Sequence, residues 1–267
     1  MSGNNEIKTR ILSNLETKEL GREIVFYDEV SSTNEIAKGL AKSGCKAGTA
    51  VISDSQTGGR GRLQRAWFSE KGSGIYMSIV LRPSIPPEKA PRFAPAAALG
   101  VCDLLAEYNI EARIKWPNDV LCGGKKLCGI LLESGAAPGG GAFIVAGIGL
   151  NVNHREFPDE LKTTAVSMSL TTGLLYDTRE VAAKLLNCLE PQFLMCERDE
   201  DFESLLSRYK LRSCTYGREV RVTGIGRTHQ GIAVDFDGEG RLCLQQEDGS
   251  IITLNAGEVT LRSEYDG

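Results

Sequence analysis

Gly58-Gly59-Arg60-Gly61-Arg62-Leu63-Gln64-Arg65-Ala66-Trp67 puts three arginines, three glycines and a tryptophan into ten residues. Arginine presents a planar fork of donors that matches a phosphate or carboxylate two bonds at a time. Glycine lets the chain close tightly around such a group, and the indole adds a flat wall. The composition is that of a cationic, anion-wrapping loop; the competing reading is a solvated basic turn. The flanks favour the first reading. Residues 49–53 and 75–80 read as strands, so a sheet holds both ends of the loop. The glycines and the mutually repelling arginines predict that residues 57–67 are mobile without a ligand.

Other residues could share this chemistry. Lys126 opens an otherwise apolar strand, 126–133, either as a solvated strand end or as a cation at the mouth of a site. Gly129 within that strand marks a bulge or a close approach. Asp119 reads locally as a partner for a neighbouring lysine. Ser32-Thr33-Asn34 precedes a helical pattern, and Ser32 with Glu35 fits a capping box. The same short polar side chains at a helix N-terminus could face a ligand. Gly147-Ile148-Gly149 is not a dinucleotide fingerprint, because it lies inside a strand, lacks the third glycine and precedes no helix. His154 stands past the strand end without a sequence partner and is expected on the surface.

The elements that must position these residues alternate along the chain. Helical spacing covers 7–15 and a strand 23–27; a helix follows the Ser-Thr-Asn group. A proline-rich connector at 82–87 leads to an alanine-rich, buried helix over 91–108, with Gly100 a close-packing position. Residues 113–121 and 126–133 read as a hairpin about Gly123-Gly124, and a turn at 136–141 leads to an apolar strand at 142–153. Helices are expected over 179–196 and 201–209. From about Thr215 short strands at 219–222, 230–236, 241–246 and 251–254 alternate with Asp-Gly turns, the texture of a small barrel. Two domains are therefore expected, 1–214 and 215–267.

With 267 residues, 41% hydrophobic and 25% charged, the composition is that of a soluble globular protein. A net charge of -4 offers no general attraction to nucleic acid. No apolar run is long enough to span a bilayer, and the polar start has no secretory signal. Eight cysteines are scattered without a CxxC pair and accompany two histidines, which disfavours a zinc site and fits reduced thiols in a cytoplasmic protein.

In chain order, Ser32-Thr33-Asn34, Gln56 with Gly59-Arg60-Gly61-Arg62, Arg65, Trp67, Lys115-Trp116-Pro117-Asn118-Asp119, Lys126-Leu127 with Gly129-Ile130-Leu131, and Gly147-Ile148-Gly149-Leu150-Asn151 resemble the biotin–protein ligases over nearly the whole chain. The form resembled is the one without an N-terminal DNA-binding domain; members that double as repressors carry such a domain before the ligase. The resemblance implies an α+β fold. A mixed sheet flanked by helices, class II aminoacyl-tRNA synthetase-like, is followed by an SH3-like β-barrel. It implies that biotin and ATP, with Mg2+, give biotinyl-5′-adenylate and pyrophosphate, and that a lysine of a biotin carboxyl carrier protein then takes the biotin. A homodimer is left open; nucleic acid and membrane are not expected partners. By the same resemblance Lys126, Arg60 and Arg62 are the catalytic cations. Ser32, Thr33, Asn34 and Gln56 line the biotin side, while Gly59, Gly61 and Gly129 belong to the binding motifs. Trp67 packs beside the adenine, Asn151 reads its edge, and Asp119 is the metal-associated carboxylate. The chain departs from the family at Leu63, where a basic residue is common, and at Gln64, where glycine is usual. A lipoate ligase or octanoyltransferase shares the architecture; the Gly/Arg loop and Lys-Trp-Pro-Asn-Asp favour biotin.

Overall fold

A computed structural model describes residues 2–139, 141–224 and 226–261. The chain opens with helix α1 (Ser2–Leu12), strand β1 (Ile24–Tyr27), helix α2 (Thr33–Lys42) and strand β2 (Ala50–Ser53). Strand β3 (Gly74–Leu81) and helix α3 (Phe93–Glu107) follow, then β4 (Arg113–Lys115), β5 (Asp119–Cys122), β6 (Lys125–Ala136) and β7 (Ala142–Asn151). Helices α4 (Met168–Thr172), α5 (Thr178–Leu194) and α6 (Asp199–Arg212) lead to β8 (Glu219–Thr223), β9 (Thr228–Phe236), β10 (Leu242–Gln245), β11 (Ile251–Leu254) and β12 (Glu258–Leu261).

The first seven strands form a mixed sheet in the order β1-β2-β3-β7-β6-β5-β4. Strands β1 and β2 are parallel, and the other neighbours are antiparallel. Helices cover both faces, so β3 is buried at every position and reads as an unbroken apolar run. Its Ile75, Met77, Ile79 and Leu81 join the large core with α3 and α5, whereas Val80 packs with Ala37 and Ala41 of α2 and with Val145 of β7. Because side chains alternate along a strand, Ser78 and the β7 glycines 147 and 149 share the α2 face. The site lies there.

The last five strands form an antiparallel sheet in the order β11-β10-β9-β8-β12. Its Val220, Phe236, Leu242 and Val259 belong to the same core as α3 and α6, and Tyr209 meets Phe236 edge-on at 4.9 Å. Trp116, in the break between β4 and β5, donates Nε1 to the Gly240 carbonyl at 3.2 Å.

The close-packing position at Gly100 is real: a Cβ there would sit 2.8 Å from Leu189 Cδ2. Three expectations shift. The first helix runs from Ser2 to Leu12, not 7–15, and neither α4 nor β12 was anticipated. Ser32 occupies the N-cap position of α2 but makes no side-chain capping bond. Gln56 Oε1 from the next loop takes the free Thr33 N–H at 2.9 Å, so a tertiary partner supersedes the local cap.

Candidate active site

The floor of the site is made of missing side chains. Gly129 of β6 pairs with Gly149 of β7, and Leu131 with Gly147. A Cβ on Gly149 would stand 2.5 Å from Trp67 Cε2, and one on Gly129 2.8 Å from Trp67 Cζ3. The indole thus lies on a bed that only paired glycines leave flat. Lys126 Nζ sits 5.3 Å from the centre of that ring, a cation–π arrangement, and 2.7 Å from Asp119 Oδ1. A Cβ on Gly147 would meet Asn34 Oδ1 at 2.1 Å, so the Asn34 amide presses on the bare strand.

The start of α2 is wired into this floor. Ser78 Oγ donates to Asn34 Oδ1 at 2.5 Å and lies 2.8 Å from Thr33 Oγ1. Asn34 Nδ2 donates to Glu133 Oε2 at 2.8 Å, and Lys38 pairs with Glu133 at 2.9 Å. Burial pushes the Glu133 carboxyl up, but the bonds from Lys38 and Asn34 outweigh it and hold the group below its ordinary value. Gln56, engaged with Thr33 through its carbonyl, gives Nε2 to Ser69 Oγ at 3.2 Å.

The Gly/Arg stretch forms a narrow tongue. Arg60 and Ala66 bridge, Gly61 N–H donates to the Arg65 carbonyl at 2.8 Å, and Trp67 N–H to the Gly59 carbonyl at 2.9 Å. The tip holds Leu63 and Gln64 at φ of 54° and 61°, a region that favours glycine. Arg62 Nη1 donates to Asn118 Oδ1 at 3.3 Å and to the Gly257 carbonyl at 3.2 Å. Arg65 clasps Glu258 with both guanidinium arms, one bond being 2.6 Å. Burial lowers the Arg62 guanidinium from its ordinary value, partly offset by Asp119 and Glu258. The Arg65 bond holds Glu258 down. Both members of the Arg65–Glu258 pair are exposed, so the pair contributes at most about 1 kcal/mol. Glu258→Ala should therefore speed trypsin cleavage at Arg62 and Arg65 by about two- to fivefold; unchanged cleavage would show that the clasp does not hold the tongue.

Two cavities meet here. The larger, about 490 Å3, is lined by Arg62, Arg65, Lys115, Asp119 and Asn151 on its polar side and by Phe68 and Phe157 on its apolar side, with Gly257 and Glu258 at one edge. The smaller, about 40 Å3, is lined by Ser32, Thr33, Asn34, Gln56, Arg60, Gly129 and the β7 glycines. Gly61, Trp67, Asn118 and Lys126 border both. All the site residues expected from sequence converge on one or both cavities except Gly59, which supports the tongue: a Cβ there would meet Gln56 Nε2 and Ser69 Oγ at 2.9 Å. Asn151 gives Nδ2 to the Val166 carbonyl at 3.1 Å. Among the described residues no three His, Cys, Asp or Glu side chains group as a metal site.

Sequence reasoning missed four contributors. Ser78 had a signal, a lone hydroxyl in an apolar strand. Asn118 was visible within its motif but had no role. Glu133 and the Gly257–Glu258 edge had no local signal, since both reach the site through distant pairings.

His154 is a correction: it is fully buried, not on the surface. Its ring stacks on Phe157 at 5.2 Å and sits 5.5 Å from Phe68, both of which line the larger cavity. Tyr76 gives its hydroxyl proton to the Glu70 carbonyl at 2.9 Å, so His154 Nε2, 3.2 Å from that oxygen, is assigned as the donor between them. Burial takes the imidazole from 6.5 down to about 4. The unfolded chain thus binds a proton that the folded chain refuses. His154 imposes no penalty above pH 6.5, and stability is lost as pH falls from there towards 4. The loss is about 3 kcal/mol. Urea titrations at pH 7 and pH 4.5 should show His154→Gln losing less stability than wild type over that interval; equal losses would exclude the histidine as the source.

Comparison with known proteins places these features. Residues 26–153 match the biotin/lipoate A/B protein ligase family, and residues 215–262 match the biotin protein ligase C terminal domain. The biotin--[acetyl-CoA-carboxylase] ligase of Mycobacterium tuberculosis is 35% identical over 245 residues, covering 89% of this chain and 88% of that protein. The bifunctional ligase/repressor BirA of Bacillus spizizenii is 37% identical over 248 residues, covering 91% of this chain and 75% of that protein. A biotin protein ligase from Aquifex aeolicus, solved with biotin and ATP, superposes with a TM-score of 0.76 at 31% identity, over 90% of this chain and 99% of that one. With relatives at 35% and 37% identity covered over three quarters or more of their length, and family models matching both the central and the C-terminal segment, the chain belongs to the biotin protein ligase family.

Proposed function

We propose that the protein activates biotin with ATP to biotinyl-5′-adenylate and transfers the biotin to a lysine of a biotin carboxyl carrier protein. The observation that carries this reading is the shared border of the two cavities. Lys126 stands on it, with Arg60 on the smaller side and Arg62 on the larger. A carboxylate arriving from one side and an α-phosphate from the other repel each other. Fixed cations between them remove that repulsion and stabilise the charge that moves in the transition state. The carboxylate oxygen attacks the α-phosphorus and pyrophosphate leaves; the carrier amine then attacks the acyl carbon and AMP leaves.

The larger cavity has the size of a ligand site and is the nucleotide side, with Trp67 beside the adenine and Asn151 at its edge. The smaller, at about 40 Å3, is far below the size of a ligand site, so the tongue and Trp67 move outward to admit biotin against Ser32, Thr33, Asn34 and Gln56. Magnesium bound with ATP would neutralise phosphate charge. Asp119 could offer it one oxygen, but Oδ1 already pairs with Lys126, so the phosphates would have to supply most of its ligands. The long mixed sheet is our class II synthetase-like unit and the last five strands our SH3-like barrel, divided between residues 214 and 215. Eight cysteines, none of them in a disulfide among the described residues, support a reducing, cytoplasmic setting. No helix among the described residues is long and apolar enough to cross a membrane.

ATP–pyrophosphate exchange dependent on biotin, followed by labelling of a biotin-carrier domain, tests the reading. Exchange driven by lipoate in place of biotin would overturn it in favour of the lipoate-handling branch of the family.

A further inference from the structure

The Asn118-Asp119 pair gives each residue a different cation: Asp119 holds Lys126, and Asn118 accepts from Arg62. We infer that Asn118 is a positioning residue that fixes the Arg62 guanidinium at the border of the two cavities. This rests on the proposed adenylation.

Asn118 is itself fixed from behind. Its Nδ2 donates to the Ile130 carbonyl at 2.6 Å, and its own carbonyl accepts from Ile130 N–H at 3.0 Å. The side-chain amide therefore has one assigned orientation, with Oδ1 turned to Arg62. Two residues before it, Trp116 is tied by its N–H to Thr215 Oγ1 at 3.0 Å and by its indole to Gly240. Both bonds received from Arg62 fall on Nη1. Among the described residues Nε and Nη2 carry none, and they are the donors left for a phosphate. The amide suits this task better than a carboxylate. A neutral oxygen orients the arginine without neutralising it, whereas an anion at that place would compete with the phosphate for the same fork. Without Asn118 the guanidinium, on a long flexible stem at a tongue tip, would sample positions that do not meet the phosphate.

The test is a double-mutant cycle read by single-turnover formation of biotinyl-adenylate and by its escape into solution. Asn118→Ala should slow formation about tenfold and speed escape by a similar factor in the wild-type background. In the Arg62→Ala background it should change neither by more than about twofold, because the group it positions is gone. Asn118→Ser carries the same cycle if the alanine variant does not fold. Equal factors in both backgrounds, or no effect in the wild type, would overturn the inference. Wild-type protein that forms no adenylate from biotin and ATP would instead overturn the reading on which it rests.

Discussion

Lys126→Met should lower the rate of biotin-dependent pyrophosphate exchange by about a thousandfold, equivalent to about 4 kcal/mol of transition-state stabilisation. Methionine keeps an apolar stem over Gly129 and the Trp67 ring, where the lysine now lies. The packing is retained and the charge is lost. In the resting enzyme that charge is neutralised by Asp119 at 2.7 Å. The substrates must therefore draw the ammonium away from a carboxylate, so its contact with them strengthens as charge gathers on the phosphate. Biotin affinity should fall much less than the rate. Lys126→Arg, with a forked head of different reach, should recover part of the loss. An exchange rate for Lys126→Met within tenfold of wild type would remove Lys126 from the chemistry.

Gly147→Ala should weaken biotin binding by about a hundredfold and lower stability by about 1–3 kcal/mol. The new methyl would stand 2.1 Å from Asn34 Oδ1 and 2.8 Å from its Cγ. Asn34 has nowhere to retreat: it is 6% exposed and held by Ser78 and Glu133. Displacing it leaves the Ser78 hydroxyl and the Glu133 carboxylate short of a partner, which adds to the steric term. Gly39→Ala is the matched control. It lies within α2 with nothing within 4 Å of the new Cβ, so it should stabilise the protein by about 1 kcal/mol and leave biotin binding unchanged. Calorimetric titration with biotin separates the two variants, and equal affinities would dismiss Asn34 as a biotin-side group.

The local features of the site were legible because their signals are local. Residues 75–80 announce a strand by composition, and Asp-Gly pairs punctuate the C-terminal sheet. The Gly/Arg motif is its own marker. What stayed hidden depends on register and distance. Gly129 and Gly149 each read as a strand glycine, but their role as a bed for Trp67 exists only because β6 and β7 align them. The Gly257–Glu258 edge reaches the tongue because β12 pairs with β8, from Glu258↔Thr223 to Leu261↔Val220; no short-range pattern encodes that closure. The capping box at Ser32 failed because Gln56 arrived from another element. His154 looked solitary in sequence, yet Tyr76, Phe68 and Phe157 enclose it from three separate segments.

The glycine bed has a practical corollary. The chain contains two tryptophans. Trp116 is tied at both its backbone and its indole nitrogen. Trp67 rests on two bare backbones, under an ammonium group, with its indole nitrogen buried and unbonded among the described residues. Both tryptophans line the larger cavity, but only Trp67 also borders the smaller one, so ultraviolet emission that changes as the smaller cavity fills belongs to Trp67. The enzyme carries its own optical gauge of occupancy on the biotin side, and Trp67→Phe should leave a spectrum blind to biotin.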